Sequence, residues 1–302
     1  PSFGELRPWT ANPDNVRDFY ETGITQNYNA AISGGTEDTQ YRLSMGRTDE
    51  DGIMPNSSRK VNSISLNGTH RINDKFTTSA SINYIYTKIK GRPTVGYDFN
   101  NGKNVAVSFN QWFQRQVDMN RLQRKYKSPT GVAQSWNIRS PTDTRPNYWD
   151  NPYWIVNESF TEDVRDRVYG NVNLTYNVTD HLSMSVIGRT DFYTFTAEDR
   201  TASGSLATEY YSEYVRQGRE DNFEFLTTYN NSFNDFDVTV NFQANNRTNK
   251  YKNNGGETVG GFSVPDWYNL NASLDRPNVT DYKEKKIINS LTAFGSFGYK
   301  GM

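Results

Sequence analysis

Two histidines and no cysteine limit the chemistry available to this chain of 302 residues. Without cysteine there is no disulfide framework, no thiolate metal site and no cysteine nucleophile. His70 and His181 lie far apart in the sequence, each in or beside a predicted turn, where an exposed imidazole needs no function. The acidic run at 49–52 lacks the ligand spacing of a calcium-binding EF-hand, and we interpret it as a solvated turn. We therefore expect no enzymatic activity, no metal and no cofactor.

Aromatic and basic side chains between residues 90 and 161 suit binding better than catalysis. This loop of 72 residues shows no clear polar–apolar alternation, contains a helix-like stretch at 105–126 and holds four of the six Trp. Aromatic faces stack on sugar rings or peptide side chains, and guanidinium groups pair with carboxylates. In the alternative interpretation, the Trp residues form the loop's own core or seal it against a partner. We expect such a structural role for Trp154. The candidate contacts with substrate or partner are Trp112, Trp136, Trp149, Arg115, Arg121 and Arg124, with Trp112 and Trp136 the first choices for cargo.

The composition is too polar for a soluble domain with a dry core. Hydrophobic residues make up 34% of the chain, against roughly 45–50% in soluble globular domains. Disorder is an unsuitable explanation, because the chain has 17 Phe, 20 Tyr and 6 Trp and nearly balanced charges. The net charge of −1 and the lack of a Lys/Arg block also argue against a nucleic-acid partner.

Regular alternation of apolar and polar residues predicts long β-strands. The clearest example runs from Phe236 to Asn245, where Phe, Val, Val, Phe and Ala alternate with Asp, Thr, Asn, Gln and Asn. No stretch approaches the roughly 18 apolar residues of a membrane-spanning helix, so any span must be made of strands. The predicted strands lie at about 25–34, 39–48, 59–72, 76–86, 167–178, 182–197, 220–233, 236–245 and 285–299, with another possible short strand near 207–217.

The predicted connections alternate between short and long. The short ones are 34–39, 73–75, 179–181 and 234–235, and the long ones are about 49–58, 90–161, 198–219 and 251–284. Long antiparallel strands with this order of loops are typical of a transmembrane β-barrel, with lipid outside and a polar lumen inside. A soluble β-sandwich would also alternate, but its strands are normally shorter. The fold class is therefore all-β, and the nine strands are part of a large transmembrane antiparallel β-barrel with short periplasmic turns and long extracellular loops.

The alternation also assigns side chains to the two faces of this barrel. We predict that Val172, Leu174, Val238, Val240 and Phe242 face lipid and that Asn171, Asn173, Thr239 and Asn241 face the lumen. Aromatic residues near the short turns fit an interfacial girdle. The girdle candidates are Phe76, Tyr176, Phe233 and Phe236.

Six short segments, spread over most of the chain, together resemble a known protein family. They are 12–23 (NPDNVRDFYETG), 32–35 (ISGG), 41–44 (YRLS), 52–57 (GIMPNS), 150–154 (DNPYW) and 264–270 (VPDWYNL). Together they resemble the barrel of the SusC/RagA family of TonB-dependent outer-membrane transporters of Bacteroidetes. The resemblance implies a larger closed barrel, an N-terminal plug domain through which TonB acts, and a SusD-like lipoprotein that closes over the extracellular side. We find no plug domain in the sequence and expect residues 1–302 to be a fragment from the middle of the barrel domain.

The resemblance implies import of a large nutrient, an oligosaccharide or a peptide, across the outer membrane of a Gram-negative cell. The expected partners are a SusD-like lipoprotein, TonB acting through the plug, outer-membrane lipid and the cargo itself. Two other functions stay open at this point. One is a secreted or surface all-β module that binds glycans or acts as an adhesin without transport, and the other is a passive porin.

Overall fold

The computed structural model describes residue 6, residues 8–96 and residues 102–300. Nine antiparallel strands form one sheet, in which each strand is hydrogen-bonded to the next one in chain order. We call this sheet the wall, and it confirms the predicted all-β architecture. Its strands are β1 (Ile24–Gly35), β2 (Thr39–Asp51), β3 (Ser58–Arg71), β4 (Phe76–Lys90), β5 (Thr161–Asn177), β6 (Leu182–Thr201), β7 (Tyr210–Phe233), β8 (Phe236–Glu257) and β9 (Asn278–Tyr299).

The two ends of the wall differ in their connections. At one end, which we call the turn end, the strands are joined by the tight turns 36–38, 72–75, 178–181 and 234–235. At the opposite end, the link end, they are joined by the links 52–57, 91–160, 202–209 and 258–277. The predicted alternation of short and long connections is confirmed. The turns also set the register of the paired strands, since the N–H of Val178 donates to the carbonyl of Leu182 at 2.9 Å and Phe233 lies opposite Phe236.

Strands β6 to β9 run further toward the link end than predicted. The connection expected at 198–219 is only 202–209, and the possible strand near 207–217 is the link-end part of β7. The connection expected at 251–284 is likewise shortened to 258–277. In these extensions both faces of the sheet carry polar side chains. The apolar alternation that identifies a half-buried strand is therefore lost, and the sequence pattern ends before the strand does.

The acidic run at 49–52 was predicted as a solvated turn, and this is wrong, because its three carboxylates lie in strand β2. Asp49, Glu50 and Asp51 end β2 directly opposite β1. Asp49 accepts a hydrogen bond from Arg47 at 2.6 Å, and Glu50 pairs with Arg59 of β3 at 2.8 Å. The described residues contain no group of three or more His, Cys, Asp and Glu placed to hold a metal ion.

Three short helices interrupt the link 91–160: α1 (Val105–Gln111), α2 (Met119–Arg124) and α3 (Pro152–Glu158). The helix-like stretch predicted at 105–126 is thus two helices. Asp118 has an extended backbone, and its carboxylate accepts the N–H of Arg121 at 3.1 Å, so it is the N-cap that begins α2. Helix α3 was not predicted, because fewer than two full turns leave little periodic signal.

The side chains of the wall separate into an apolar face and a polar face. Val172 and Val240 are exposed on the apolar face, with relative accessibilities of 53% and 51%. On the polar face, hydroxyl and amide groups join neighbouring strands; for example, Thr228 donates to Asn241 at 2.8 Å. Because successive residues of a strand point to opposite faces, the two predicted sets lie on opposite sides of the wall, as expected.

The predicted girdle residues lie near the turn end on the apolar face. The rings of Phe76 and Tyr176 stack with centroids 4.5 Å apart, and Phe236 lies 4.9 Å from Tyr299. Among the described residues, every buried hydrophobic side chain lies at the opposite, link end. No helix in the described part of the chain is both long and apolar enough to cross a membrane.

Candidate functional site

The segment before β1 is fastened to the long link. Asn15 is fully buried, and its Nδ2 donates to the carbonyls of Gln114 at 2.9 Å and Val117 at 3.2 Å. The guanidinium of Arg115 donates at 3.2 Å to the carbonyl of Pro13 and to Oδ1 of Asn15. We call residues 8–23 together with 91–96 and 102–160 the cap. Arg115, a predicted cargo contact, is exposed, and its guanidinium holds these two segments together.

A small aromatic core fills the cap. Phe19 is completely buried at its centre, with ring centroids 5.1 Å from Phe109 and 5.2 Å from Tyr153. Burial raises the pKa of Tyr153 to about 12. The buried members of this core are Phe19, Val105, Val117, Met119, Leu122, Tyr153, Ile155 and Val156. Residues before β1 and residues of all three helices thus share one core, which fixes the position of the cap.

The run 150–154 connects this core to the neighbouring link 202–209. The Asp150 carboxylate accepts the N–H of Leu206, at 3.1 and 3.2 Å to its two oxygens, and burial raises the pKa of this carboxyl to about 6. Asn151 caps α3 and donates to the carbonyl of Leu122 at 3.1 Å. The indole of Trp154 is buried and donates to Ser205 at 2.9 Å.

Two further links join the same region through residues with positive φ. Asn56 (φ 60°) donates to the carbonyl of Val156 at 2.7 Å, and Asp266 (φ 57°) exchanges hydrogen bonds with Ser203 at 3.0 and 3.1 Å. Asn and Asp are the side chains best tolerated in this left-handed region. Four of the six segments that carry the family resemblance therefore fasten the cap and links to one another. Their residues serve the architecture of this end of the wall.

A cleft of about 390 Å³ opens in the cap between α2 and the segment around Trp136. Arg121 and Lys125 line it from one face of α2, together with Gln114 and Gln116. The Nη2 atom of Arg121 is buried without a hydrogen-bond partner among the described residues. The cleft thus offers a cation, hydrogen-bonding amides and an aromatic ring to a ligand. It brings together two of the predicted contacts, Arg121 and Trp136.

Trp112 and Trp136, the first choices for cargo, are adjacent. Trp136 donates its indole N–H to the carbonyl of Trp112 at 3.2 Å and packs edge-on against Phe113 at 4.9 Å. Trp112 is 56% exposed and stacks on the exposed ring of Tyr148, with centroids 6.1 Å apart. This exposed pair of rings presents a flat aromatic surface beside the cleft.

The remaining predicted contacts lie elsewhere in the cap. Trp149 is buried, with 8% of its surface accessible, and Arg124 is exposed on α2 but does not line the cleft. Sequence reasoning missed Lys125 and Tyr148. Lys125 is the C-cap residue of α2 and follows Arg121 by four residues, the spacing that places two side chains on one helical side, so a prediction of where α2 ends would have found it. Tyr148 gave no comparable signal.

No protein-family model and no curated protein sequence matches this chain. Among solved structures, the RagAB peptide transporter superposes on 96% of the chain with a TM-score of 0.73 and 16% sequence identity. The RagAB peptide importer in its closed-closed state covers 99% with a TM-score of 0.72 and 15% identity. The ferric-catecholate import receptor Fiu of E. coli K12, in an open form, covers 91% with a TM-score of 0.52 and 8% identity.

The chain has the fold of a segment of the barrels in these solved structures. It spans about a third of the two RagAB chains, 32% and 33%, and 41% of the Fiu chain. The three solved structures are transporters or receptors for import, and at these identities the likeness concerns the fold.

Proposed function

We propose that this chain is part of the barrel domain of a SusC/RagA-like, TonB-dependent transporter in the outer membrane of a Gram-negative cell. It imports a large nutrient, an oligosaccharide or a peptide, together with a SusD-like surface lipoprotein, and it is not an enzyme. TonB acts through a plug domain outside residues 1–302. The observation that carries the proposal is the nine-stranded wall with one apolar face, which superposes on the RagAB peptide transporter over 96% of its length.

The apolar face of the wall has the dimensions of a membrane-spanning belt. In β8 it carries Phe236, Val238, Val240, Phe242 and Ala244 in succession from the turn end. At about 3.4 Å per residue and a strand tilt of about 40°, these residues cover roughly 20 Å of bilayer. The apolar band of bacterial outer-membrane barrels is about 25 Å tall. The apolar face therefore meets lipid, the polar face lines the lumen, and the link end faces the cell exterior.

The cap is the proposed contact surface for cargo or for the lipoprotein. The cleft supplies the half-buried guanidinium of Arg121 to a carboxylate, while the exposed rings of Trp112 and Tyr148 offer a stacking surface. A peptide would use both features, and an oligosaccharide would use the rings and the amides of the cleft. Trp149 is buried in the cap, and the Arg115 guanidinium is engaged with the segment before β1, so we place the cargo contacts at Trp112, Trp136 and Arg121.

Uptake of labelled peptides and oligosaccharides by cells that carry the full-length protein tests this proposal. We expect Trp112→Ala and Arg121→Gln each to lower uptake on the order of tenfold, because buried or stacking Trp and Arg contacts dominate recognition surfaces. The matched controls are Trp267→Ala, since Trp267 is 47% exposed on another link, and Arg124→Gln on the same helix outside the cleft. Both controls should import normally.

Three outcomes would contradict the proposal. Uptake that persists in cells without TonB would indicate a passive porin. Extraction of the full-length protein into buffer without detergent would indicate a secreted or surface glycan-binding module. Equal uptake by Trp112→Ala, Arg121→Gln and their controls would show that the cap does not contact the cargo.

A further inference from the structure

Five cationic side chains lie together on the apolar face of the wall, beyond its apolar residues. Arg219, Lys250 and Lys285 form one row of directly opposite residues on β7, β8 and β9. Two residues further toward the link end, Lys252 lies directly opposite Lys283. All five side chains are exposed, and they line one groove of about 440 Å³. We call them the cation cluster.

The protein itself neutralises little of this charge. Arg219 pairs with Asp221 at 2.8 Å, and Lys283 contacts Asp281 at 3.4 Å, where the two side chains are 65% and 62% exposed. No carboxylate in the described part of the chain forms an ion pair with the other three lysines of the cluster. Like charges directly opposite each other on neighbouring strands destabilise a sheet. The two Lys–Lys pairs therefore create a site at which a bound anion would be stabilising.

Two other cations on the same face are paired with carboxylates. On β4, Lys88 also lies beyond the apolar residues, and it forms an ion pair with Glu162 of β5 at 2.7 Å. On β2, Arg47 pairs with Asp49 at 2.6 Å. Lys60 of β3 lies directly opposite Lys88, with Asp49 opposite it on its other side. The concentration of five cations in one groove therefore distinguishes β7–β9 from the rest of this face.

The cation cluster also lies at the depth of a lipid headgroup. Lys285 is two residues beyond the last apolar residue of this face in β9, Ile287, and Lys250 is six beyond Ala244 in β8. With the strand rise and tilt used above, these steps correspond to roughly 5 and 15 Å beyond the last apolar residue of the respective strand. Phe192, which is exposed and directly opposite Arg219, brings apolar surface to the edge of the cluster.

We propose that the cation cluster binds the phosphate groups of a lipid headgroup in the outer leaflet of the membrane. The phosphates would lie between the opposing lysines, while an acyl chain packs on the aromatic and aliphatic residues nearer the turn end. Lysine side chains suit this position, because their stems lie along apolar surface while the ammonium groups reach the polar layer. The inference rests on the proposed membrane placement of the wall, and it is independent of the cargo.

Native mass spectrometry of the full-length protein, purified in a neutral detergent and mixed with lipid A carrying two phosphates, tests the site. The variant replaces Lys250, Lys252, Lys283 and Lys285 with Gln, and the matched control replaces Lys75, Lys127, Lys286 and Lys300 with Gln. We expect the affinity of the cluster variant for lipid A to fall on the order of tenfold or more. The control should bind as the wild type does, and lipid A stripped of its phosphates should bind all three proteins equally weakly.

Equal binding of phosphorylated lipid A by the cluster variant and the control would overturn the proposal. Complete displacement of the lipid by inorganic phosphate would also overturn it, because the ligand would then be free phosphate.

Thermal unfolding without lipid checks the fold of the cluster variant. We expect this variant to be at least as stable as wild type, since the repulsion between the opposing lysines has been removed. If it does not fold, the pair Lys250→Gln, Lys285→Gln should still weaken lipid binding measurably. If the protein binds lipid A through the cation cluster but does not import cargo, the proposed transport function is rejected and the lipid site stands.

Discussion

The wall and the cap differ in where their hydrophobic side chains lie. Along the strands of the wall, Val172, Val240 and Phe223 leave 53%, 51% and 64% of their surfaces exposed. In the cap, Phe19 and Trp154 are 0% and 2% exposed. One chain thus combines a sheet whose apolar face is open with a small domain that has its own dry core.

The two regions are therefore stabilised by different interactions. The wall has backbone hydrogen bonds between strands and an apolar face that a bilayer covers in the proposed transporter. The cap depends on side-chain packing and on single hydrogen bonds such as those of Asn15 and Asp150. Substitutions should therefore affect one region and leave the other intact, which the following variants test in the full-length protein.

The largest expected effect is that of Phe19→Ala in the cap. Removing a fully buried Phe from a packed core costs about 3–5 kcal/mol, and hydrogen exchange should show faster opening of residues 105–122 and 152–158. The strands should keep their protection. Phe223→Ala is the matched control, because Phe223 is 64% exposed on the apolar face. If both variants lowered the protection of the strands equally, the cap would not be an independent core.

The next effect is expected for Val240→Arg in the wall. An arginine on the lipid face near the bilayer midplane costs about 2–4 kcal/mol, measured as the free energy of folding into vesicles in a urea titration. Thr239→Arg, one residue away on the polar face, should change this free energy by much less. Similar losses for the two variants would contradict the assignment of the faces.

The sequence alone was sufficient to predict the wall, because period-two alternation is a local signal that repeats along each strand. The cap was harder to predict. Asn15 contacts the carbonyls of Gln114 and Val117, which are about 100 residues away in sequence. No periodic sequence pattern predicts such a contact. Helix α3 is also too short for its periodicity to be recognised, and the helix-like stretch at 105–126 did not show where α1 ends and α2 begins. Of the candidate site, Arg121 and Trp136 were found from residue type, whereas Lys125 required knowing where α2 ends.

Asp150 should make the attachment of the cap depend on pH. Its pKa is raised from 3.8 to about 6 by burial, so the folded state holds this proton more tightly than the unfolded state. The stabilisation is fully present below about pH 4 and is lost as the pH rises to about 6, by up to roughly 3 kcal/mol. Hydrogen exchange of the cap between pH 4 and 7 measures it. Asp150→Asn should flatten this dependence, and an unchanged slope in that variant would assign it to another group.

A smaller effect is expected for Asp118→Ala at the start of α2. Loss of an N-cap carboxylate costs about 1 kcal/mol, and it would shift Arg121 and Lys125 at the cleft. Proteolysis near residue 118 should become modestly faster while the strands stay protected. Asp180→Ala, in a turn at the opposite end of the wall, is the control. No difference between the two would show that α2 is held by packing alone.

The orientation of the wall in lipid is the central claim, and spin labelling tests it most directly. Because the chain has no cysteine, single cysteines can be introduced at Val172, Val238 and Val240 and at Asn171, Thr239 and Asn241, and then labelled in the reconstituted full-length protein. We predict that labels on the first three positions are accessible to oxygen dissolved in the bilayer and that labels on the other three are accessible to a water-soluble nickel complex. The same accessibility pattern for both sets would contradict the barrel wall proposed for this chain.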